Sequence, residues 1–198
     1  QVRNVIQSDE FRKHDNLILG GGSNVLFTKD FDGLVLRNHI QGIEVIEETP
    51  SSVVVRVGGG VVWHEFVLYC IEHGWNGVEN LSLIPGSVGA SPMQNIGAYG
   101  VEVETVFHEL EAIHLQTGEI HYFNRSDCNF GYRDSIFKNK LKGEYLISRV
   151  TFQLSKDNHF NISYGAIEQE LEQMGVKSLS ARAVSNAVIA IRQSKLPD

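Results

Sequence analysis

Residues 83–100 contain the residue types best suited to hold a phosphorylated ligand. Four glycines and two prolines fall within this stretch, and it carries no charged side chain. Glycine permits positive φ and close ligand approach, and a glycine turn that feeds a helix N-terminus leaves N–H donors for phosphate oxygens. An ordinary glycine-rich surface loop is the alternative. The apolar residues Ile84, Val88, Met93 and Ile96 favour a buried stretch, whose polar backbone needs partners that a cofactor can supply.

A second candidate ligand loop is the triple-glycine turn Gly20-Gly21-Gly22, which is followed by Ser23 and Asn24. Apolar residues flank it on both sides, which predicts a strand, a glycine turn and a second strand. The turn lacks the GxGxxG-to-helix pattern of the dinucleotide-binding fingerprint and the lysine of a P-loop. Ser23 and Asn24 could donate hydrogen bonds to a ligand, whereas a plain hairpin turn would need no ligand at all.

Arg133 is the candidate for charge stabilisation in a reaction. It lies in a short irregular segment, residues 128–138, between Tyr132 and Asp134. An arginine in such a setting can simply pair with the adjacent aspartate or extend its charge to solvent. Alternatively, its fixed charge is aimed into a pocket, where it could stabilise an enolate or a carboxylate. The residues alone leave both interpretations open.

Composition restricts the possible partners. The 198 residues carry a formal net charge of −7, which disfavours a generic nucleic-acid partner. The two cysteines, Cys70 and Cys128, form no CxxC or Cys/His cluster, so neither a metal site nor a disulfide scaffold is predicted. No apolar run reaches membrane-spanning length and no signal peptide is visible, so we expect a cytoplasmic protein without a membrane partner.

Hydrophobic periodicity predicts a helix over residues 61–73, followed by a stop at Gly74. Cys70 lies on its apolar face and is interpreted as a core residue rather than a nucleophile. His64 and His73 lie off that face and are expected in solvent. Two further helices are predicted in the C-terminal part. The first has Ile167, Leu171 and Met174 on its apolar face and ends at Gly175. The second has Val184, Ala187, Val188 and Ile191 on its apolar face and ends before Pro197.

Strands are predicted from β-branched and alternating runs bounded by turn residues. The first fifteen residues are polar and weakly helical, with no evident helix cap. Because strands and helices do not alternate regularly, the order favours an α+β fold over a doubly wound sheet. The predicted strands span residues 34–36, 43–46, 53–57, 106–115, 120–123 and 145–154.

Five segments together resemble the UDP-N-acetylenolpyruvoylglucosamine reductase family of flavoenzymes. They occur in the family's order over essentially the whole chain, so their combination is far more specific than any one of them. The segments are LGGGSNVL at 19–26, ENLSLIPGSVG at 79–89, QNIGAYGVE at 94–102, GYRDSIFK at 131–138 and KLPD at 195–198.

The resemblance implies a two-subdomain FAD-binding fold of the vanillyl-alcohol-oxidase (PCMH) type. Residues 1–40 would form the first, incomplete subdomain and residues 41–196 the second. The first glycine loop would contact the FAD pyrophosphate, and the second would surround the rest of the flavin. The implied cofactor contacts are Gly20, Gly21, Gly22, Ser23, Asn24, Ile84, Pro85, Gly86, Ser87, Gly89, Ser91, Asn95, Gly97 and Tyr99.

The resemblance also implies the reaction. NADPH would reduce FAD, which would pass a hydride to the enolpyruvyl group of a UDP-sugar. Arg133 matches the family's active-site arginine. Tyr164 matches a tyrosine that closes over the substrate in one subclass, and Lys195 matches a lysine that binds the UDP portion. From the residues alone, an ordinary exposed polar side chain is the better interpretation of both. The family's proton-donating serine follows the KLPD segment, so no residue here is assigned that role, and Ser135 and Ser194 match no such motif. We therefore expect a fragment, without the substrate-binding domain, that does not turn over alone.

Two alternatives remain at this point. Another flavoprotein of the same fold, such as an oxidase of sugars or alcohols, would share the loops, although many of those attach flavin through a histidine where this chain has Ser23 and Asn24. A non-catalytic nucleotide-binding module is the second alternative. A monomer is expected.

Overall fold

Three β-sheets and six helices organise residues 2–195, the part of the chain that the computed structural model describes. The prediction of an α+β fold is confirmed. The helices are α1 (Val2–Ile6), α2 (Asp9–Lys13), α3 (Trp63–Glu72), α4 (Arg125–Cys128), α5 (Gly165–Gln173) and α6 (Ala181–Gln193). The strands are β1 (Asn16–Leu19), β2 (Leu34–Arg37), β3 (Ile43–Glu48), β4 (Ser52–Gly58), β5 (Gly97–Ala98), β6 (Val101–Glu102), β7 (Phe107–His114), β8 (Ile120–Asn124) and β9 (Tyr145–Ser155).

The N-terminal region contains a helix cap that the sequence analysis missed. Ser8 precedes α2 and its hydroxyl accepts a hydrogen bond from the Phe11 amide at 3.3 Å. Such a cap satisfies one of the amides that the first helical turn leaves without a partner. Phe11 and Ile6 are buried in a small cluster with Ile113 of β7, which fixes the N-terminal region against the larger sheet.

The predicted second strand directly after the triple-glycine turn is wrong. Strand β1 pairs in parallel with β2, with Asn16 opposite Leu34. Two parallel strands cannot be joined by a tight hairpin, so the chain between them must cross over as a longer connection. The apolar run at 25–27 belongs to this connection, and Leu26 is 86% exposed.

The main sheet has the strand order β3-β4-β9-β7-β8 and is antiparallel throughout. Helix α3 packs on one face of it, where Trp63, Phe66 and Phe152 of β9 form an aromatic cluster with ring centroids 4.9–5.9 Å apart. Cys70 is fully buried in the same core, and burial raises its pKa well above the ordinary value, which confirms its interpretation as a core residue.

Helices α5 and α6 pack together through Ile167, Leu171 and the apolar face of α6. Met174 does not share this face, contrary to prediction, because α5 ends at Gln173 and the Met174 side chain is 43% exposed. The predicted stop at Pro197 lies outside the described residues, as do the first and last positions of the proposed subdomains, Gln1 and residue 196. The division at residue 40 stays a prediction. No helix within residues 2–195 has the length and apolar content needed to cross a membrane.

Candidate functional site

The two glycine loops lie in direct contact. A Cβ atom added to Gly20 would come within 2.7 Å of the Ser87 Oγ atom, and one added to Gly21 would lie 3.3 Å from the Gly86 Cα atom. Side chains at these positions would push the loops apart. The glycines therefore allow two backbone segments, far apart in sequence, to form one surface.

A cavity of about 440 Å³ opens where the loops meet. A second cavity of about 610 Å³ adjoins it, and Ile18, Gly20, Ser87, Ala90 and Met93 line both. Each volume lies within the range of about 300–1,000 Å³ that is usual for small-molecule sites. The two cavities share a wall, and the second lies between the N-terminal region and the main sheet.

The first loop offers a run of unused backbone donors. Within the described part of the chain, the amides of residues 20–24 donate to no protein acceptor, and neither do the Ser23 and Asn24 side chains. Gly22 has φ +74°, a conformation that glycine adopts at little cost. Consecutive amides of this kind, beside a cavity, suit the oxygens of a phosphate or pyrophosphate. The residues present therefore fit the phosphate-bearing part of a dinucleotide cofactor.

The second loop is buried as predicted at Val88 and Ile96, whereas Ile84 and Met93 are half-buried and line the cavity. Residues 83–100 contain no α-helix N-terminus, and their only helical turns are the 3₁₀ turns at Val88–Ala90 and Pro92–Gln94. The prolines and the positive-φ residues interrupt any longer helical run. A phosphate at this loop must therefore rely on turn amides rather than on a helix dipole.

Strained backbone is concentrated around the candidate site. The five residues other than glycine with positive φ in the described chain are Leu83 (58°), Asn95 (41°), Tyr99 (50°), Asn129 (46°) and Arg133 (55°). Three belong to the second glycine loop, Arg133 lies on its own turn, and Asn129 is the C-terminal cap of α4. Such conformations cost free energy and persist where the surroundings impose them, commonly at functional sites.

His64 supports the strained conformation at Leu83, and the expectation that it is simply solvated is wrong. Its Nδ1 atom accepts a hydrogen bond from the Leu83 amide at 3.0 Å. Partial burial lowers the pKa of His64, and the nearby Glu65 carboxylate opposes this shift. A neutral ring is required because a protonated Nδ1 could no longer accept the bond. His73, by contrast, is exposed as predicted.

The hydrogen bond between the Leu83 amide and His64 predicts that the free energy of unfolding depends on pH. Because the folded pKa of His64 is below the ordinary value of 6.5, the unfolded chain takes up the proton first as pH falls. The contribution of His64 is therefore complete above pH 6.5 and is lost as pH falls through the lowered folded value. We expect His64→Ala to reduce the free energy of unfolding by about 1–2 kcal/mol at pH of about 8 and by less at pH of about 5.

Denaturant unfolding across this pH range measures the effect. The exposed His108, on β7, provides the control, since His108→Ala should change stability little at any pH. Equal losses for His64→Ala at both ends of the pH range would contradict the assignment.

Arg133 lies on an exposed turn closed by mutual backbone hydrogen bonds between Gly131 and Asp134. Its Nη2 atom donates to the Gly97 carbonyl, and its own carbonyl accepts a hydrogen bond from Lys138 Nζ at 2.8 Å. It forms no ion pair with any residue from 2 to 195, and the Asp134 carboxylate accepts hydrogen bonds from Asn139. The guanidinium therefore keeps most of its donors for another partner.

Tyr99 and Tyr164 form a second polar group near the helical end of the chain. Their rings meet edge to face with centroids 5.4 Å apart. Burial raises the pKa of the Tyr99 hydroxyl, Arg192 opposes the shift and Tyr164 adds to it, so this hydroxyl stays protonated. The Nε atom of Arg192 is buried without a partner among the described residues. Lys195 is exposed just beyond α6.

The structure brings together most of the cofactor contacts that the resemblance implies. The first cavity is lined by Gly20, Gly21, Gly22, Ser23, Asn24, Ile84, Pro85, Gly86, Ser87 and Ser91, and the second by Gly20, Ser87 and Gly89. Neither cavity is lined by Asn95, Gly97, Tyr99, Arg133, Tyr164 or Lys195. These six lie on the adjoining loops or in the C-terminal part.

Sequence reasoning missed several lining residues. Trp63, a buried residue of α3, borders the first cavity and donates to the Leu81 carbonyl at 2.9 Å. Lys138 lines the same cavity, and its place in the Arg133 segment was the only available signal. Asn38 and Tyr145 line the second cavity without any distinguishing sequence pattern.

The sequence of this chain is similar to those of known proteins. The family model described as "FAD binding domain" matches residues 1–124. Proteins named UDP-N-acetylenolpyruvoylglucosamine reductase match at 56% identity over 92% of this chain in Amoebophilus asiaticus and at 49% over 96% in Flavobacterium johnsoniae. The Pseudomonas putida protein of that name is 46% identical over 100%. The predicted resemblance is confirmed. The chain spans 54%, 56% and 58% of these relatives, respectively.

Solved structures agree on the fold. The chain matches the Thermus caldophilus UDP-N-acetylenolpyruvylglucosamine reductase with a TM-score of 0.62 and 18% identity, covering 100% of this chain and 62% of that one. A solvent-stable cholesterol oxidase matches with a TM-score of 0.58 and 15% identity, covering 84% of this chain and 36% of that one. At such identities these matches concern the fold alone. Together with the family model described as "FAD binding domain", they confirm the predicted FAD-binding fold type.

Proposed function

Because the chain belongs to the FAD binding domain family, we propose that the full-length protein is a flavin-dependent reductase. Its substrate is UDP-N-acetylglucosamine enolpyruvate, its product is UDP-N-acetylmuramate for peptidoglycan synthesis, and its hydride donor is NADPH. The observation that carries the proposal is the 46–56% identity to reductases of that name over 92–100% of this chain. The protein acts in the cytoplasm as a monomer, without a nucleic-acid or membrane partner.

The touching glycine loops hold FAD. The pyrophosphate is bound by the free amides of residues 20–24 and by the Ser23 and Asn24 side chains. Because the chain has a net negative charge, it offers little overall attraction to an anion, and neutral donors must supply the contacts. Residues 84–91 bind the remainder along the shared cavity wall. When bound, FAD supplies the hydride that reduces the enolpyruvyl double bond.

Arg133 acts on the substrate. Hydride addition to one carbon of the enolpyruvyl group leaves negative charge on the other carbon and on the attached carboxylate. A guanidinium stays charged at neutral pH and can hold a carboxylate by two parallel hydrogen bonds. Since Arg133 has no ion-pair partner among residues 2–195, its charge is available for this purpose.

Tyr164 closes over the substrate, and Lys195 binds its UDP portion. Tyr164 is half-exposed at the N-terminus of α5, where its ring packs edge to face on Tyr99. Lys195 offers a mobile positive charge suited to a diphosphate. The residue that protonates the product is not assigned within this chain.

Purification of the full-length protein tests the proposal. We expect a yellow protein whose flavin is released by denaturation and which oxidises NADPH only when UDP-N-acetylglucosamine enolpyruvate is present. A colourless protein would contradict the cofactor, and a yellow protein without this activity would contradict the substrate. Mass spectrometry that found covalently attached FAD would instead favour an oxidase of the same fold.

A further inference from the structure

Asn95 is fully buried, and all its side-chain hydrogen-bonding groups are used inside the protein. Its Nδ2 atom donates to Glu102 Oε2 and to the Gly131 carbonyl, both at 3.1 Å, and its Oδ1 atom accepts from the Glu104 amide at 3.1 Å. An amide nitrogen has two hydrogens, and both are engaged. The Asn95 side chain therefore has no donor left for a cofactor.

These bonds close a ring that contains Arg133. Asn95 holds Gly131, which pairs with Asp134 and thereby closes the turn on which Arg133 lies. Arg133 in turn donates to the Gly97 carbonyl, and Gly97 pairs with Glu102 across β5 and β6. Glu102 accepts from Asn95, which completes the ring. Asn95 thus fixes both the backbone that carries Arg133 and the strand that receives its guanidinium.

The hydrogen bond from Asn95 also restrains the Glu102 carboxylate, which could otherwise compete with the substrate for Arg133. The Glu102 side chain lies close to Gly97, since a Cβ atom added there would meet Glu102 Cγ at 2.9 Å. Gly97 is also the residue whose carbonyl holds Arg133. Without Asn95, the Glu102 carboxylate would lose its Nδ2 donor, while its backbone stays paired with Gly97, whose carbonyl accepts from Arg133. An ion pair between the freed carboxylate and the guanidinium would then neutralise the charge that the proposed function assigns to the substrate.

We propose that Asn95 is a positioning residue for Arg133, holding its loop and keeping Glu102 away from its guanidinium. This inference rests on the proposed function, in which Arg133 binds the substrate carboxylate. Asparagine is suited to this position because it tolerates the φ of +41° better than most residues and supplies donors and an acceptor from one short side chain.

A matched pair of glycine variants in the full-length holoenzyme tests the inference. Asn95→Gly removes the side chain while keeping a residue that accepts positive φ. Asn129→Gly makes the same change at φ +46° on an exposed residue whose side chain makes no hydrogen bond with residues 2–195. We expect Asn95→Gly to lower kcat about 10- to 100-fold with its FAD retained, and Asn129→Gly to leave kcat unchanged.

The double variant separates positioning from a general structural effect. If Asn95 acts through Arg133, adding Asn95→Gly to Arg133→Ala should lower kcat by less than about threefold. A full 10- to 100-fold further loss would overturn the inference, because it would show that Asn95 contributes independently of Arg133.

Hydrogen exchange supplies a measurement that does not depend on activity. Asn95→Gly should accelerate exchange at the amides of Glu104, Gly131 and Asp134, while Asn129→Gly should not. Unchanged exchange in Asn95→Gly would overturn the inference. If wild-type protein lacks reductase activity, the proposed function fails, yet the exchange comparison still decides whether Asn95 holds this loop.

Discussion

Replacing Arg133 with alanine in the full-length protein is expected to lower kcat about 10²- to 10³-fold while FAD remains bound. The change removes the fixed charge that we propose stabilises negative charge on the substrate. Alanine and arginine both carry a Cβ atom, so the φ of +55° strains the backbone to a similar degree in the variant and in the wild-type protein. The Arg133 side chain lines neither cavity at the glycine loops, which is why cofactor retention should be unaffected.

Arg133→Lys should lose most of the same activity, because an ammonium cannot form the paired hydrogen bonds of a guanidinium. Steady-state kinetics with varied UDP-N-acetylglucosamine enolpyruvate, together with the flavin absorbance of each purified variant, measures both effects. Arg182→Ala is a suitable control, since Arg182 pairs with Glu72 at 3.8 Å on the surface of α6. Unchanged turnover in Arg133→Ala would mean that the charge acts elsewhere or not at all.

Gly22→Ala is expected to weaken FAD binding about 10- to 100-fold. The added methyl group has room within the protein, because its nearest neighbour would be Leu19 Cδ2 at 3.9 Å. It would nevertheless project from the loop whose amides face no protein acceptor, and it would distort a turn that needs φ +74°. Loss of one charge-assisted hydrogen bond of about 1.5–3 kcal/mol corresponds to this range of affinity.

Gly74→Ala provides a closely matched control. Gly74 has φ +70°, and a Cβ atom added there would meet nothing within 4 Å, but it lies just beyond the C-terminal end of α3. Both variants should lose about 1–2 kcal/mol of stability from backbone strain. Titration of each apoprotein with FAD should show weaker binding only for Gly22→Ala. Equal affinities would contradict the assignment of the first loop to the pyrophosphate.

Local patterns predicted much of the fold. The period of the apolar residues located α3 and the strands of the main sheet, because each element must bury one face and the side-chain spacing records which face that is. The boundaries of β7 and β9 lie within two residues of the prediction. The sequence analysis did not predict the helix cap at Ser8, and it wrongly placed Met174 on the apolar face of α5. Both features depend on where a helix begins or ends.

The predicted second strand at residues 25–27 failed for a different reason. Apolar residues after a glycine turn are typical of a hairpin, yet β1 pairs in parallel with β2. The choice between parallel and antiparallel pairing is made by contacts across the sheet and against the core, which no local window contains. The exposed connection that results is also the one that carries the free amides of the first loop.

The sequence by itself determined the two glycine loops and the arginine segment, because backbone freedom and fixed charge are properties of residue type. Only the tertiary structure decided that Gly20 meets Ser87 and Gly21 meets Gly86, so that two separated loops share one cavity. It also decided that Asn95 serves the Arg133 turn through buried hydrogen bonds. Residue type limits what a side chain can donate or accept, but its partner depends on which distant segments the packed core brings within hydrogen-bonding distance.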